Sequence, residues 1–505
     1  MSEGSARRVA CWSTVLVLAL FTSAARGAPL AAVMFEDAPA LGSAALLPAY
    51  HDALGTPLTH ELTGRLPHAV AAIYRERGYL PPAPRVVRTR GHAGIVVMEV
   101  REPHVVLVRL DGREQTDFPG LQSFIVELRA MRPLGRSGFD AWLGRVNGAG
   151  FPVQGSLIRV RADSPGYVAS LRIDDRRWQG LMHVDNRGPA QLGREIAQLS
   201  LGYRWPNERL GHLRFDAAAA ADHERLRYLG ISGGHRVNDR GDRLQWSYSR
   251  SRSELPVGDT VRRVDYRRER VEVELSVPLV HRLRQRAGVT ASLRSYELDQ
   301  FLDDGRRLRR DRIRVAGIGY DLAMAGDGGG RHTVDVAVLQ GLPFLGSSVS
   351  PPRAEEDFTA IAGRYGYGRG FAGQWHLRGD LHVQAADDRL PASERFFVGG
   401  RALGGAFDPA VLSGDEGLGA RLGVDRRIRL AGIPMTAFSY YDHAYVRSRG
   451  DSRPSDDVGS AGLGLQGSYG KLTWSVELAV PVKSPRTADV LEDGTRAFFS
   501  LTQRF

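Results

Sequence analysis

Cysteine is all but missing from this chain of 505 residues; Cys11 is the only one. It lies in an apolar stretch, Val9 to Phe21, that follows Arg7 and Arg8 and precedes the small-x-small run Ala25-Arg26-Gly27. That order reads as a secretory leader, residues 1–27, cleaved before Ala28. A lipoprotein reading of Val9-Ala10-Cys11 fails because no apolar core precedes the cysteine. The mature chain would then hold no thiol, which removes disulfides, thiolate metal sites and cysteine nucleophiles together. Lysine is nearly as scarce: of 68 basic residues only Lys471 and Lys483 are lysines. Long hydrophobic runs are missing too, since no stretch beyond the leader reaches the roughly 18 apolar residues of a membrane helix. Mean hydropathy is −0.26, a value typical of soluble proteins. A β-barrel reconciles that with a membrane, because alternate residues of each strand are polar and face the lumen.

The net charge of +11 and pI near 10.0 would ordinarily raise nucleic-acid binding. The arginines are scattered, however, and no helix carries a basic stripe with interleaved aromatics. No nucleic-acid partner is expected; the arginines suit a polar lumen, contacts with lipopolysaccharide phosphates, or a codon-biased genome. Catalytic constellations are equally weak. Gly326-Asp327-Gly328-Gly329-Gly330 lacks the Lys-Ser/Thr of a phosphate loop. Gly230-Ile231-Ser232-Gly233-Gly234 matches a nucleophile elbow but ends a candidate strand, with no helical pattern after it. His51 and His60 lack ligand spacing to any acid, and His281 and His443 fall on different strands. The expectation is a chain that is not an enzyme and uses no cofactor or metal.

What the chain does contain, from about Trp178 onward, is period-two patterning. In Val271–Val277 the odd positions are apolar and the even ones polar. Trp375, Leu377, Leu381 and Val383 alternate with His376, Arg378, Asp380 and His382; Leu472, Trp474, Val476, Leu478 and Val480 do the same with Thr473, Ser475 and Glu477. The closing run AFFSLTQRF would put Phe499, Leu501 and Phe505 toward lipid and Ser500, Thr502 and Arg504 toward the lumen. Candidate strands fall near 177–186, 193–204, 210–220, 224–233, 243–252, 267–279, 287–298, 309–322, 331–341, 356–368, 371–384, 418–430, 434–447, 458–468, 471–481 and 495–505. About sixteen strands of about ten residues suit an even-numbered, tilted transmembrane barrel over 176–505. Short joints such as Gly188-Pro189 and Tyr469-Gly470 should face the periplasm. Long charged joints around 299–308 and 448–457 should face outward.

Between leader and barrel, two stretches repeat one order of elements. In 28–103, a strand (31–35), a short helix (Ser43 to His51), a longer helix (Thr59 to Arg77) and strands near Val86–Thr89 and Ile95–Val100 follow in turn. Leu62, Leu66, Val70, Ile73 and Tyr74 share one face of the longer helix. Pro67 predicts a kink there or a start at Leu66. In 104–175 the order returns: strand 105–110, helices near 121–131 and 137–147, and strands at 155–162 and 167–173. The fold expected is therefore N-terminal α+β, in two modules, followed by a C-terminal antiparallel transmembrane β-barrel.

The tandem strand-helix-helix-strand-strand order, with the phrase AIYRERGYLPPAPRV, resembles the polypeptide-transport-associated (POTRA) domain. Residues 385–417 form a connection of unusual length, ERFFVGGRALGGAFDPAVLSGDEG at its centre. Its position, together with VDNRGP at 184–189, the two POTRA-like modules and the terminal Phe505, resembles the two-partner secretion transporters of the haemolysin secretion/activation (ShlB/FhaC) type. That resemblance spans essentially the whole mature chain. It implies an outer-membrane translocase that passes an unfolded exoprotein through the barrel, with the POTRA domains capturing the client by strand addition. It implies as partners the exoprotein, outer-membrane lipid and lipopolysaccharide, and the barrel-assembly machinery and periplasmic chaperones for its own insertion. The runner-up is a factor that inserts other barrels, and a passive porin comes third.

The resemblance makes 385–417 an inward-folded loop and gives it a motif: Gly399, Gly400, Arg401, Gly404, Gly405, Phe407, Asp408, Gly414 and Asp415. In that family the loop tip carries Arg-Gly-Phe/Tyr, the arginine meeting an aspartate on the barrel wall. Here the tip reads Gly405-Ala406-Phe407, so the arginine is missing, while the wall partner corresponds to Asp442. Either Arg401 substitutes for it, the loop is held more loosely, or Asp442 is simply a hydrated lumen acid. Many relatives also thread a plug helix before the first POTRA domain. The first strand here starts too near Ala28 for one, so the inward loop alone would close the pore and basal conductance would be high.

Overall fold

The computed structural model describes residues 28–505 except 37–39, 112–117, 119, 149–150, 152, 175, 206–210, 223–224, 239–240, 257–262, 283, 327, 351–353, 431, 451–454 and 487–493. The leader at 1–27 lies outside the described residues. The chain divides into two compact units, one up to residue 143 with 153–173, the other 144–152 with 174–505.

The first unit repeats one topology. Strand β1 (Ala32–Glu36), helices α1 (Gly42–Leu46) and α2 (His60–Glu76), and strands β2 (Ala83–Arg90) and β3 (Ile95–Arg101) come first. Strand β4 (His104–Leu110), helices α3 (Leu121–Ala130) and α4 (Arg136–Gly148), and strands β5 (Val153–Arg159) and β6 (Gly166–Ile173) follow. Each module makes a three-stranded sheet, ordered β1-β3-β2 and β4-β6-β5, with the first strand parallel to the last. The outer strands β1, β2, β4 and β5 thus pair on one side only within their sheets.

Helix α2 starts at His60, where the Thr59 hydroxyl accepts from the Leu62 N–H at 3.1 Å, and it runs through Pro67 without ending. The predicted start at Leu66 is therefore corrected. Proline removes one helical bond and costs about 3 kcal/mol. Leu66, Val70, Ile73 and Tyr74, on both sides of it, are buried against Val96, Met98 and Val100. At about 1.5–3 kcal/mol for each buried side chain, the shared core outweighs the proline. Two buried polar groups tie the modules internally. The Tyr74 hydroxyl donates to Glu102 Oε1 at 2.8 Å, and burial, then the Glu102 carboxylate, push its pKa well above the ordinary value. Trp142 Nε1 donates to the Phe124 carbonyl at 2.7 Å. The second strand of the second sheet sits two to three residues earlier than the predicted 155–162.

The second unit is a closed barrel of sixteen antiparallel strands. They are β7 (Trp178–Asp185), β8 (Ile196–Arg204), β9 (His212–Ala220), β10 (Leu226–Arg236), β11 (Arg243–Pro256), β12 (Arg263–Arg282), β13 (Gln285–Leu302) and β14 (Arg307–Ala325). After β15 (Gly330–Gly341), β16 (Thr359–Gly370) and β17 (Trp375–Ala386), two short strands β18 (Phe396–Val398) and β19 (Leu412–Gly414) pair apart from the wall. The wall resumes with β20 (Glu416–Leu430), β21 (Ile433–Arg447), β22 (Ser455–Tyr469), β23 (Leu472–Lys483) and β24 (Arg496–Arg504), which pairs with β7. The outward face carries large apolar side chains in the open, among them Leu229, Leu293, Ile318, Leu422, Leu463, Val476 and Leu501. A soluble barrel would not expose such a band, whereas lipid solvates it.

Because the strands alternate in direction, the ends where β12 meets β13, β20 meets β21 and β22 meets β23 all lie on one side of the barrel. The link 186–195 lies at the opposite end with the 387–415 connection, so the joint at Gly188-Pro189 is not on the short-turn side as predicted. The expected long loop at 299–308 is mostly strand: β13 and β14 extend to a tight turn at 303–306. Their charges pair across the ladder, Arg310 and Arg312 with Glu297 and Arg307 with Asp299. Twenty residues of β12 span roughly 65 Å, well beyond a tilted crossing of the apolar band.

Candidate functional site: the inward-folded loop

The connection 387–415 returns into the barrel. Along β20 and β21, Leu418, Leu422, Tyr441 and Tyr445 face outward and are exposed. The residues that meet the loop have the opposite parity and therefore face the lumen. Phe396, Val398, Leu403, Ala406, Phe407 and Leu412 of the loop form one buried cluster with Ala444, Val446, Val458, Ala479 and Phe498 of the wall. Two lumen-facing glycines make the seat. A Cβ on Gly417 would overlap the Phe396 ring, and one on Gly419 would overlap Leu403.

The short hairpin of β18 and β19 carries the tip. Gly399 adopts φ +113°, and its N–H donates to the Leu403 carbonyl at 2.9 Å. Gly400 donates to the Phe407 carbonyl at 3.1 Å, folding the tip onto itself. Gly404 and Gly405 then present their N–H groups to Asp442, at 2.8 Å to Oδ1 and 3.4 Å to Oδ2. Asp442 is fully buried. It also accepts from Ser460 Oγ at 2.6 Å and pairs with Arg421, whose Nη2 lies 2.5 Å from Oδ2. Arg421 donates in addition to the Arg401 carbonyl. Each charge is thus matched and hydrogen-bonded, the condition under which a buried carboxylate is tolerated.

From Arg421 the contacts continue around the tip. Its guanidinium stacks 4.0 Å over the Tyr440 ring, and the Tyr440 hydroxyl donates to Glu477 Oε1 at 2.6 Å. Glu477 pairs with Arg187 at 2.5 Å; Arg187 lies 3.9 Å over Phe498 and donates to the Gly405 carbonyl at 3.4 Å. Asp408 holds the far side of the tip. It pairs with Arg496 at 2.7 Å and Arg194 at 3.1 Å, and accepts from the Ala190 N–H at 2.9 Å. At the loop base, Asp415 accepts from the N–H groups of Leu390 at 2.9 Å and Arg449 at 2.7 Å.

A family model described as haemolysin secretion/activation protein ShlB/FhaC/HecB matches residues 171–467. The chain belongs to that family. Among solved structures, CdiB from Escherichia coli superposes with a TM-score of 0.74 at 17% identity, covering 100% of this chain and 93% of its own. CdiB from Acinetobacter baumannii gives 0.62 at 14% identity, with 95% and 90% covered. BamA from Haemophilus ducreyi lacking POTRA domains 1–3 gives 0.53 at 12%, with 95% and 100% covered. At these identities the likeness is one of fold. A search of curated proteins finds no match. The protein is a two-partner secretion transporter of the bacterial outer membrane, a translocase with a secreted exoprotein as its partner, and its family is one of transporters rather than enzymes.

In this two-partner secretion transporter, Gly404 and Gly405 meet Asp442, Gly399, Gly400 and Phe407 shape the tip, and Asp408 pairs on its far side, while Gly414 and Asp415 lie at the loop base. A Cβ on Gly414 would crowd the Arg447 carbonyl at 2.7 Å. Arg401 contributes only its backbone carbonyl; its side chain is exposed. The guanidinium beside Asp442 belongs to Arg421, so the expectation that Arg401 takes that place is corrected. Phe505 lies away from the loop, exchanging backbone bonds of 3.0 Å with Gly180 and laying its ring over that glycine. Sequence reading passed over Arg421, Ser460 and Glu477. Only strand register could have exposed Arg421, which stands directly opposite Asp442. Asn186 and Arg187 lie within VDNRGP, yet nothing local assigns them their distant partners in β23 and β24.

Proposed function

We propose that the barrel passes an unfolded exoprotein once the inward loop leaves its seat, and that the modules at 28–103 and 104–175 are periplasmic POTRA domains that take up the client. The observation that supports this reading is how the loop is held: by one apolar cluster and by hydrogen bonds and ion pairs to the wall, with no strand pairing to it. Such a hold is reversible. In the first unit, β1, β2, β4 and β5 each have one side free of pairing within their sheets. An extended client can add to such an edge through its main chain, largely regardless of sequence. Folding outside the cell supplies the drive. Outer-membrane lipid and lipopolysaccharide surround the apolar band, and the barrel-assembly machinery with periplasmic chaperones inserts the chain.

A disulfide lock tests the loop's part. Residues 28–505 contain no cysteine, so Leu403→Cys with Gly419→Cys introduces the only pair. Oxidised protein should stop releasing the exoprotein into the medium, and reductant should restore release. Undiminished secretion by the oxidised form would mean that the loop need not move.

A further inference from the structure

Between the inner wall at β12–β14 and the first part of the inward loop lies a cavity of about 420 Å³. Four guanidinium groups line it: Arg268 and Arg270 on β12, Arg294 on β13 and Arg309 on β14. The single carboxylate in its lining is Glu394, on the loop. Two of the arginines are neutralised from behind, Arg270 by Glu272 at 2.9 Å and Arg309 by Asp311 at 2.7 Å. The Arg309 Nε is nevertheless buried without a hydrogen-bond partner among the described residues, and the other two arginines lack so close a carboxylate. Arg294 reaches Glu394 at 3.4 Å and Glu272 only at 3.9 Å, and its buried Nε has no hydrogen-bond partner among the described residues. Arg268 donates to the Ser253 hydroxyl at 3.2 Å and lies 5.3 Å over the Tyr266 ring, with no carboxylate paired to it among the described residues.

A buried donor without an acceptor is costly, and a concentration of guanidinium groups around one small space costs more unless an anion enters it. We propose that this cavity binds a soluble phosphate-type oxyanion, inorganic phosphate or a phosphate ester, held between Arg268 and Arg294. Guanidinium forks match the spacing of phosphate oxygens and bind them in pairs. The volume falls in the range of small-ligand sites. A lipid headgroup is the less suitable source of the phosphate. The cavity lies on the lumen side of the wall, so the acyl chains would have to leave the bilayer for water. Glu394 competes with the oxyanion for Arg294, which makes its effect on binding opposite in sign to that of the arginines.

The test is calorimetric titration of the full chain, folded in zwitterionic detergent, with inorganic phosphate and pyrophosphate against sodium chloride of equal ionic strength. Saturable binding is expected. It should weaken at least tenfold in Arg268→Gln and Arg294→Gln and stay unchanged in Arg426→Gln, which lies outside the cavity. In Glu394→Gln it should tighten several-fold; that variant keeps the side-chain volume and serves as the test if an arginine variant fails to fold. The proposal is overturned by absent binding, by binding as tight as the parent's in both arginine variants, or by weaker binding in Glu394→Gln. Binding confined to phosphorylated lipid in mixed micelles, with none to inorganic phosphate, would overturn the soluble source.

Discussion

Arg421 and Asp442 face each other as direct cross-strand partners on β20 and β21, and their ion pair is complete within the barrel wall. The loop adds only main-chain groups to it: the N–H groups of Gly404 and Gly405 and the carbonyl of Arg401. The wall therefore presents a preorganised acceptor, and the tip docks onto it.

Breaking that pair should release the loop. Arg421→Met leaves a buried carboxylate without its counter-charge, at a cost of about 3 kcal/mol, roughly a hundredfold in the docked-to-released ratio. Asp442→Asn should act in the same direction. The double variant removes both charges and should lie closer to the parent than either single change. Conductance of single channels in planar bilayers reads this directly; equal open probability in all four proteins would exclude an anchoring role.

Filling the seat should have a similar effect without touching a charge. Gly419→Val drives a side chain into the space of Leu403, and overpacking of that kind costs about 1–3 kcal/mol. The barrel itself should survive, seen as unchanged heat-modifiable migration in electrophoresis. The loop should become open to protease added at the cell surface.

The β24–β7 seam is short, with five residue pairs, and a side chain extends it. Asn186 donates to the Ala497 carbonyl at 3.0 Å and accepts from the Phe499 N–H at 2.9 Å, as a further strand residue would. Asn186→Ala should lower barrel stability by about 1–2 kcal/mol. Amide exchange at Phe499 should accelerate while exchange in β13 stays constant.

The first unit carries an alkaline limit. The folded pKa of Tyr74 is raised, first by burial and then by Glu102, so its stabilising effect is complete below the unfolded value of about 10 and is lost as pH rises beyond it. Amide protection in β3, corrected for intrinsic exchange, should fall above that pH in the parent chain and fall less in Tyr74→Phe. An identical decline in both would assign the effect elsewhere.

All sixteen wall strands could be read from the sequence, because a lumen and a lipid face impose a strict period of two, as Val271–Val277 and Leu472–Val480 illustrate. Their lengths were less legible. The ends of β12 to β14 carry charges on both faces, Arg267, Asp299 and Arg310 outward and Arg268, Arg294 and Arg309 toward the lumen, and ladder bonds plus cross-strand ion pairs hold them in place of an apolar band. Pro67 misled for the opposite reason: a local rule was overridden by a core that only tertiary packing creates. The loop was visible through its glycines, and Asp442 through resemblance. Arg421 was not, since its partner is fixed by register and not by spacing along the chain.

A dock that grips peptide groups is blind to what the tip spells. Provided Gly404 and Gly405 are kept and Leu403, Phe407 and Asp408 hold their contacts, mutation can rewrite the rest of the tip over generations while the closed channel persists. Divergence at that point would then say little about whether a homologue still seals its conduit; the opposing pair on the staves is the place to look.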